Sequence, residues 1–164
     1  MDYSKEKIAV IGLGYVGLPL AVEFAKKRKV VGFDLDTKRI SELKRGKDKT
    51  NEVEQKFLKQ RKLEFSSDKD SLKDCGIFII TVPTPINKSK EPDLRPLRLA
   101  SKTVSKFMKK GSIVIYESTV YPGVTEEVCL PILESGSKLL ANKEFYYGYS
   151  PERVNPADKK RKLT

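Results

Sequence analysis

The run Lys7-Ile-Ala-Val-Ile-Gly12-Leu-Gly14-Tyr-Val-Gly17, followed by Val30-Val-Gly-Phe-Asp34, decides the fold of this chain. The apolar burst from Ile8 to Ile11 has the length of a short buried strand. It breaks into glycines spaced G-x-G-x-x-G, an amphipathic helical pattern begins, and a second apolar burst ends in a carboxylate. In this order Gly12 allows a tight turn, Gly14 admits a pyrophosphate against the backbone, and Gly17 lets the helix pack closely on the strand. The helix start then offers unpaired N–H groups and partial positive charge to phosphates. Asp34 stands 22 residues after Gly12, where a carboxylate accepts both ribose hydroxyls and repels a 2′-phosphate. The spacing therefore predicts a site for NAD, in preference to NADP.

Working outward, strand-like bursts recur at Ile8–Ile11, Val30–Asp34, Leu63–Ser66, Ile77–Val82, Ser112–Tyr116 and Phe145–Tyr149. Helical patterns fall near Val16–Arg28, Thr37–Arg45, Asn51–Gln60, Ser67–Asp74, Leu94–Met108 and Thr125–Glu134. Strands alternating with helices imply βαβ units with right-handed crossovers. The expected fold is α/β, a doubly wound parallel sheet of about six strands with helices on both faces. Residues 1–164 read as one dinucleotide-binding domain, with Gly46–Asn51 as a charged, solvent-exposed connector.

The bulk composition excludes several classes. No apolar stretch approaches the ~20 residues of a membrane span, and Met1–Glu6 lacks a signal-peptide core. Two cysteines, Cys75 and Cys129, and no histidine make a zinc site untenable and fit a reducing cytoplasm. Both cysteines sit in apolar surroundings and read as buried small hydrophobes. The net charge of +11 comes from basic residues spread along the chain beside acids, so neither nucleic acid nor membrane is expected as a partner. The cluster Lys26–Lys29 falls where the first helix should end, a place that favours cations.

Three further loops should leave the same sheet edge as the Gly-rich turn. Val82-Pro-Thr-Pro85 forms a stiff lip because proline fixes φ. Glu117-Ser-Thr-Val-Tyr-Pro-Gly123 brings hydroxyls, and Ser150-Pro-Glu-Arg153 brings a carboxylate to the side where strands four to six flank the nicotinamide half. A carboxylate beside a hydride acceptor is the general base that alcohol oxidation needs. The chain then ends in Asn155-Pro-Ala-Asp-Lys-Lys-Arg-Lys-Leu-Thr164 without another packing element, which reads as a truncation.

Five ordered motifs together resemble one family, the UDP-glucose/GDP-mannose (nucleotide-sugar 6-) dehydrogenases. They are Gly12-Leu-Gly-Tyr-Val-Gly-Leu-Pro-Leu-Ala21, Phe33-Asp-Leu-Asp-Thr-Lys-Arg39, Val82-Pro-Thr-Pro85, Glu117-Ser-Thr119 and Gly148-Tyr-Ser-Pro-Glu-Arg-Val-Asn-Pro156. The last motif is most similar to the branch acting on UDP-N-acetylhexosamines in polysaccharide biosynthesis. The resemblance implies two successive oxidations of a sugar C6 alcohol by two NAD⁺, through a cysteine thiohemiacetal and thioester. It implies that Gly12, Gly14, Tyr15, Val16 and Gly17 hold the pyrophosphate and that Asp34 takes the ribose, with Arg39 near it. Pro83, Thr84 and Thr119 would line the cofactor groove. Thr119 would help place a water for thioester hydrolysis, with Glu152 as acid/base.

The family's nucleophilic cysteine, catalytic lysine, central dimer helix and UDP-sugar-binding domain lie downstream of these motifs. The resemblance thus implies a fragment that binds NAD without turnover, a monomer taken from a homodimeric parent with a UDP-sugar substrate. Ala157 stands where the branch usually has glycine, so the turn after Pro156 is expected to differ from the family's, and with it the placement of Glu152. Two alternatives stay open at this point: a non-catalytic NAD-binding module, and a 6-phosphogluconate or β-hydroxyacid type of dehydrogenase with a similar Gly-Leu-Gly opening.

Overall fold

The computed structural model describes residues 3–86 and 91–151. Strands β1 (Lys7–Ile11), β2 (Val30–Phe33), β3 (Leu63–Ser66), β4 (Cys75–Ile80), β5 (Ile113–Tyr116) and β6 (Tyr146–Tyr149) form one sheet in the order β3-β2-β1-β4-β5-β6. Every pairing is parallel. The doubly wound sheet expected from the alternation is therefore the fold, and its order reverses between β1 and β4, where such sheets open a crevice beyond their carboxyl ends.

The helices are α1 (Gly17–Ala25), α2 (Thr37–Lys44), α3 (Gln55–Leu58), α4 (Arg95–Ser105) and α5 (Leu130–Ser137). Side chains alternate along β1 and feed two cores. Ile8 and Val10 point to Leu18, Val22, Ile40 and Leu43 under α1 and α2, whereas Ala9 and Ile11 point to Leu97, Val104 and Leu133 under α4 and α5. Burial on both faces explains why these strands are continuous apolar runs. Pro19 is tolerated in the first turn of α1, where an N–H would lack an intrahelical acceptor.

Three expected helices differ, each for a local reason. The pattern at 51–60 yields only the single turn α3. Upstream of it the Asp48 carboxylate accepts the N–H groups of Thr50, Glu52 and Val53, which pulls that backbone into a loop. The stretch at 67–74 closes into a 3₁₀ turn, Lys69–Leu72, capped by Asp68. The stretch at 125–134 begins as a π turn, Thr125–Cys129, before α5. Pro131 has no N–H to give the α-helical ladder at that junction.

The connector at 46–51 is also not uniformly exposed. The Asp48 side chain is only 2% exposed and lies 2.8 Å from the guanidinium of Arg39, so the expected solvated segment carries a buried ion pair. Both cysteines are free and fully buried, as their apolar neighbours suggested. Burial pushes the Cys75 thiol up to about 11, and it raises Cys129 as well.

Candidate functional site

The site begins with how the glycines of the first loop are used. Gly12 has φ +96°, a left-handed conformation that turns the chain out of β1. At Gly17 a β-carbon would collide with the Gly12 carbonyl oxygen and the Thr81 hydroxyl, so the start of α1 packs directly on the loop it leaves. Gly14 is different: a β-carbon there would meet nothing within 4 Å. The space above Gly14 is open, as a pyrophosphate requires. The N–H groups of Gly14, Tyr15 and Val16 have no acceptor among the described residues, and Val16 caps α1 without a side-chain bond. The loop thus presents donors at a helix start.

Thr81 straps this loop to β4. Its N–H donates to the Ile11 carbonyl at 2.9 Å. Its hydroxyl donates to the Gly12 carbonyl at 2.8 Å, with the Ile11 carbonyl sharing the hydrogen at 3.1 Å. The sequence reading passed over Thr81. Its signal was a hydroxyl immediately after the apolar burst of β4 and before the Val82–Pro85 lip.

Leu13 is held at both ends. Its N–H donates to Asp34 Oδ2 at 2.8 Å, and its carbonyl accepts from Arg39 Nε at 3.0 Å. The other Asp34 oxygen accepts the Asp36 N–H at 2.9 Å. Asp34 is half-buried just past β2 and lines the groove, where its carboxylate can meet ribose hydroxyls. Asp36 caps α2 by accepting from Lys38 and Arg39 N–H, and the Arg39 N–H holds its carboxyl below the usual range.

Arg39 does not face the groove. It is 3% exposed, beneath the Gly-rich loop, with Nη2 against Asp48 Oδ1 at ion-pair distance but off hydrogen-bond alignment. Asp48 also accepts the Thr50 hydroxyl at 2.7 Å. Burial pushes its carboxyl upward, yet the hydrogen bonds from Thr50 and Val53 and the facing Arg39 guanidinium win and leave it below the ordinary value of 3.8. Sequence reasoning placed Arg39 near the ribose but missed Asp48, because a lysine-rich connector gives no sign that one of its acids is buried.

The groove itself, of about 450 Å³, runs along the carboxyl edge of β1, β2 and β4. Gly12, Asp34, Leu35, Pro83, Pro96 and Leu99 are among its lining residues. Leu35 and Leu99 are 52% and 48% exposed and give the groove apolar surface, which suits a flat base. Arg95 and Asp93 also line the groove; Arg95 grips both oxygens of Asp93 and holds that carboxyl below its usual range.

Of the residues expected on the nicotinamide side, Pro83 lines the groove, and Thr84 and Thr119 follow β4 and β5 in the chain. Thr84 is half-buried, and its hydroxyl has no hydrogen-bond partner among the described residues. Ser118, fully enclosed, donates to the Val82 carbonyl at 2.8 Å and so ties the loop after β5 to the proline lip. Thr119, next to it, is exposed. Glu152 lies outside the described residues. No group of three or more His, Cys, Asp or Glu able to hold a metal occurs among the described residues, and no described helix is long and apolar enough to cross a membrane.

Comparison with known proteins agrees with this geometry. Residues 6–163 match the family described as UDP-glucose/GDP-mannose dehydrogenase family, NAD binding domain. The chain is 59% identical over 159 residues to UDP-N-acetyl-D-glucosamine 6-dehydrogenase of Salmonella typhi, covering 96% of this chain and 37% of that protein. It is 57% identical to the Pseudomonas aeruginosa enzyme of the same name, covering 96% of this chain and 38% of that protein. Among solved structures, UDP-D-ManNAc dehydrogenase from Pyrococcus horikoshii superposes with a TM-score of 0.85 at 38% identity, over 92% of this chain and 37% of that one. The chain therefore spans a little over a third of the length of these relatives. A chain matched from residue 6 to residue 163 belongs to the UDP-glucose/GDP-mannose dehydrogenase family and is its NAD-binding domain.

Proposed function

We propose that this domain serves a nucleotide-sugar 6-dehydrogenase that oxidises the C6 alcohol of a UDP-N-acetylhexosamine, UDP-N-acetylglucosamine foremost, to the uronate with two NAD⁺. The observation that carries the reading is the cradle at the β1/β4 reversal: open space over Gly14, free N–H groups at the start of α1, and Asp34 fixed beside them. The identity to the Salmonella typhi enzyme supports the choice of sugar.

In this reading Gly12, Gly14, Tyr15, Val16 and Gly17 form the pyrophosphate cradle, and the N–H groups of Gly14, Tyr15 and Val16 are its free donors. Asp34 takes the adenosine ribose, and its Leu13 and Asp36 hydrogen bonds keep the carboxylate aimed before the cofactor arrives, which lowers the cost of ordering on binding. Leu35 and Leu99 clasp the adenine. Pro83 and the unpartnered Thr84 hydroxyl line the path toward the nicotinamide. When bound, NAD⁺ supplies the hydride acceptor.

Glu152 and Thr119 are the proposed catalytic residues on this chain. Thr119 comes three residues after β5, whose carboxyl end lies at the same sheet edge as the cradle, and Glu152 comes three residues after the end of β6 in the sequence. Glu152 acts as acid/base on a water that Thr119 orients. The nucleophilic thiol must come from outside this chain, because Cys75 and Cys129 are buried thiols with raised pKa values. The parent is proposed to be a cytoplasmic homodimer acting on a UDP-sugar.

The test is to assay the complete reading frame carrying this domain with UDP-N-acetylglucosamine, UDP-N-acetylmannosamine and UDP-glucose. Two NADH per uronate with UDP-N-acetylglucosamine preferred is the expected result. Preference for UDP-glucose would move the domain to another branch of the family.

A further inference from the structure

We propose that Asp48 is a determinant of cofactor selectivity: it holds the Arg39 guanidinium beneath the Gly-rich loop, so that Asp34 alone sets the charge beside the adenosine ribose. The inference rests on the assignment of Asp34 to that ribose. In dinucleotide-binding folds an arginine near the end of β2 accommodates the 2′-phosphate of NADP. This chain has such an arginine, five residues after Asp34. The two side chains are so close that both bond the same residue, Leu13, one at its N–H and the other at its carbonyl.

What removes Arg39 from the ribose is its company. Its side chain is 4% exposed, its Nε is committed to the Leu13 carbonyl, and its Nη2 faces Asp48 at 2.8 Å. Asp48 is itself fixed, since its two oxygens also take the Thr50 hydroxyl and the N–H groups of Thr50, Glu52 and Val53. The connector therefore delivers a rigid buried carboxylate to the guanidinium.

The hold on Arg39 is nevertheless incomplete. Nη1 has no hydrogen-bond partner among the described residues, so a buried cation keeps an unused donor. Such a group gains more than a fully bonded one from reaching a phosphate. The α2 backbone at Arg39 is pinned by the Asp36 cap, so release of the guanidinium needs side-chain rotation alone. Removing the Asp48 charge should thus free a phosphate-binding arginine at the place where Asp34 now repels one.

The experiment titrates NAD⁺ and NADP⁺ into this chain and its variants. In Asp34→Ser the repulsion is gone but Arg39 stays tied, so NADP⁺ should bind no tighter than NAD⁺. In Asp34→Ser with Asp48→Asn, NADP⁺ should tighten by about tenfold or more over the single variant, the scale of one charge-assisted hydrogen bond, while NAD⁺ stays level. A general loosening would move both cofactors together, so the ratio separates selectivity from stability. NADP⁺ binding equal in single and double variants overturns the proposal. If circular dichroism shows the double variant unfolded, the single variant decides: NADP⁺ favoured by about tenfold or more would mean that Arg39 is already free, and would overturn it. An Asp34→Ser change without effect on NAD⁺ removes Asp34 from the ribose, a separate failure that also ends the proposal.

Discussion

The α-carbon of Gly17 rests against the side chain of Thr81, so close that a β-carbon there would overlap the threonine hydroxyl as well as the Gly12 carbonyl. This contact joins the start of α1 to the end of β4 and sets the distance between helix and sheet on which the phosphate cradle depends. Gly17→Ala should therefore cost about 1–3 kcal/mol of stability or more by overpacking, with loss of NAD⁺ binding. Gly14→Ala is the counterpart: with nothing within 4 Å of the new carbon, the melting temperature should stay level while NAD⁺ affinity falls. Thermal melts and titrations of the two variants check both halves.

Thr81→Val keeps the shape and deletes the hydroxyl that bonds Gly12 and Ile11. The expected loss is on the order of 1 kcal/mol, with weaker NAD⁺ binding because Gly12 loses its anchor. Chemical denaturation and calorimetry on the variant measure the two effects; a variant as stable and as tight as the parent would remove the strap from the account.

Much of this arrangement was legible in the residues. The strand bursts are long, β-branched and separated by turn chemistry, so all six strands were located to within two residues at either end. The Gly-rich loop declared itself because its spacing puts glycine at Gly12 and Gly17, where the turn and the close packing of α1 exclude a side chain. The helical patterns at 51–60 and 67–74 misled, since apolar spacing suggests a helix whether or not a nearby aspartate has already claimed the backbone N–H groups. Asp48 and Arg39 were illegible for a related reason: charged residues are rarely buried unless paired, and pairing across an irregular loop leaves no periodic trace.

Asp48 also makes stability depend on pH. Its carboxyl is held below 3.8 in the folded chain by the Thr50, Arg39 and Val53 contacts. A depressed folded value means that the contribution is complete above the unfolded value and is lost as pH falls through the folded one. Stability should accordingly decline below about pH 4 more steeply in the parent than in Asp48→Asn, as followed by urea denaturation at a series of acid pH values. Parallel curves would place the acid sensitivity elsewhere.

Cys75 and Cys129 should be silent toward a thiol reagent in the native state at mildly alkaline pH, because both are buried and burial raises both pKa values. Mass spectrometry should find no modification of the folded chain and two after denaturation. Rapid native labelling of either would reopen the question of a nucleophile on this chain.

The central claim is that Asp34, clamped by Leu13, reads the adenosine ribose beside an open phosphate cradle. Calorimetric titration of the chain and of Asp34→Ala with NAD⁺ and NADP⁺ tests it most directly. The parent should bind NAD⁺ saturably with little response to NADP⁺. Asp34→Ala should lose about 1–3 kcal/mol of NAD⁺ affinity and discriminate less against NADP⁺. An unchanged preference for NAD⁺ in the variant would contradict the assignment.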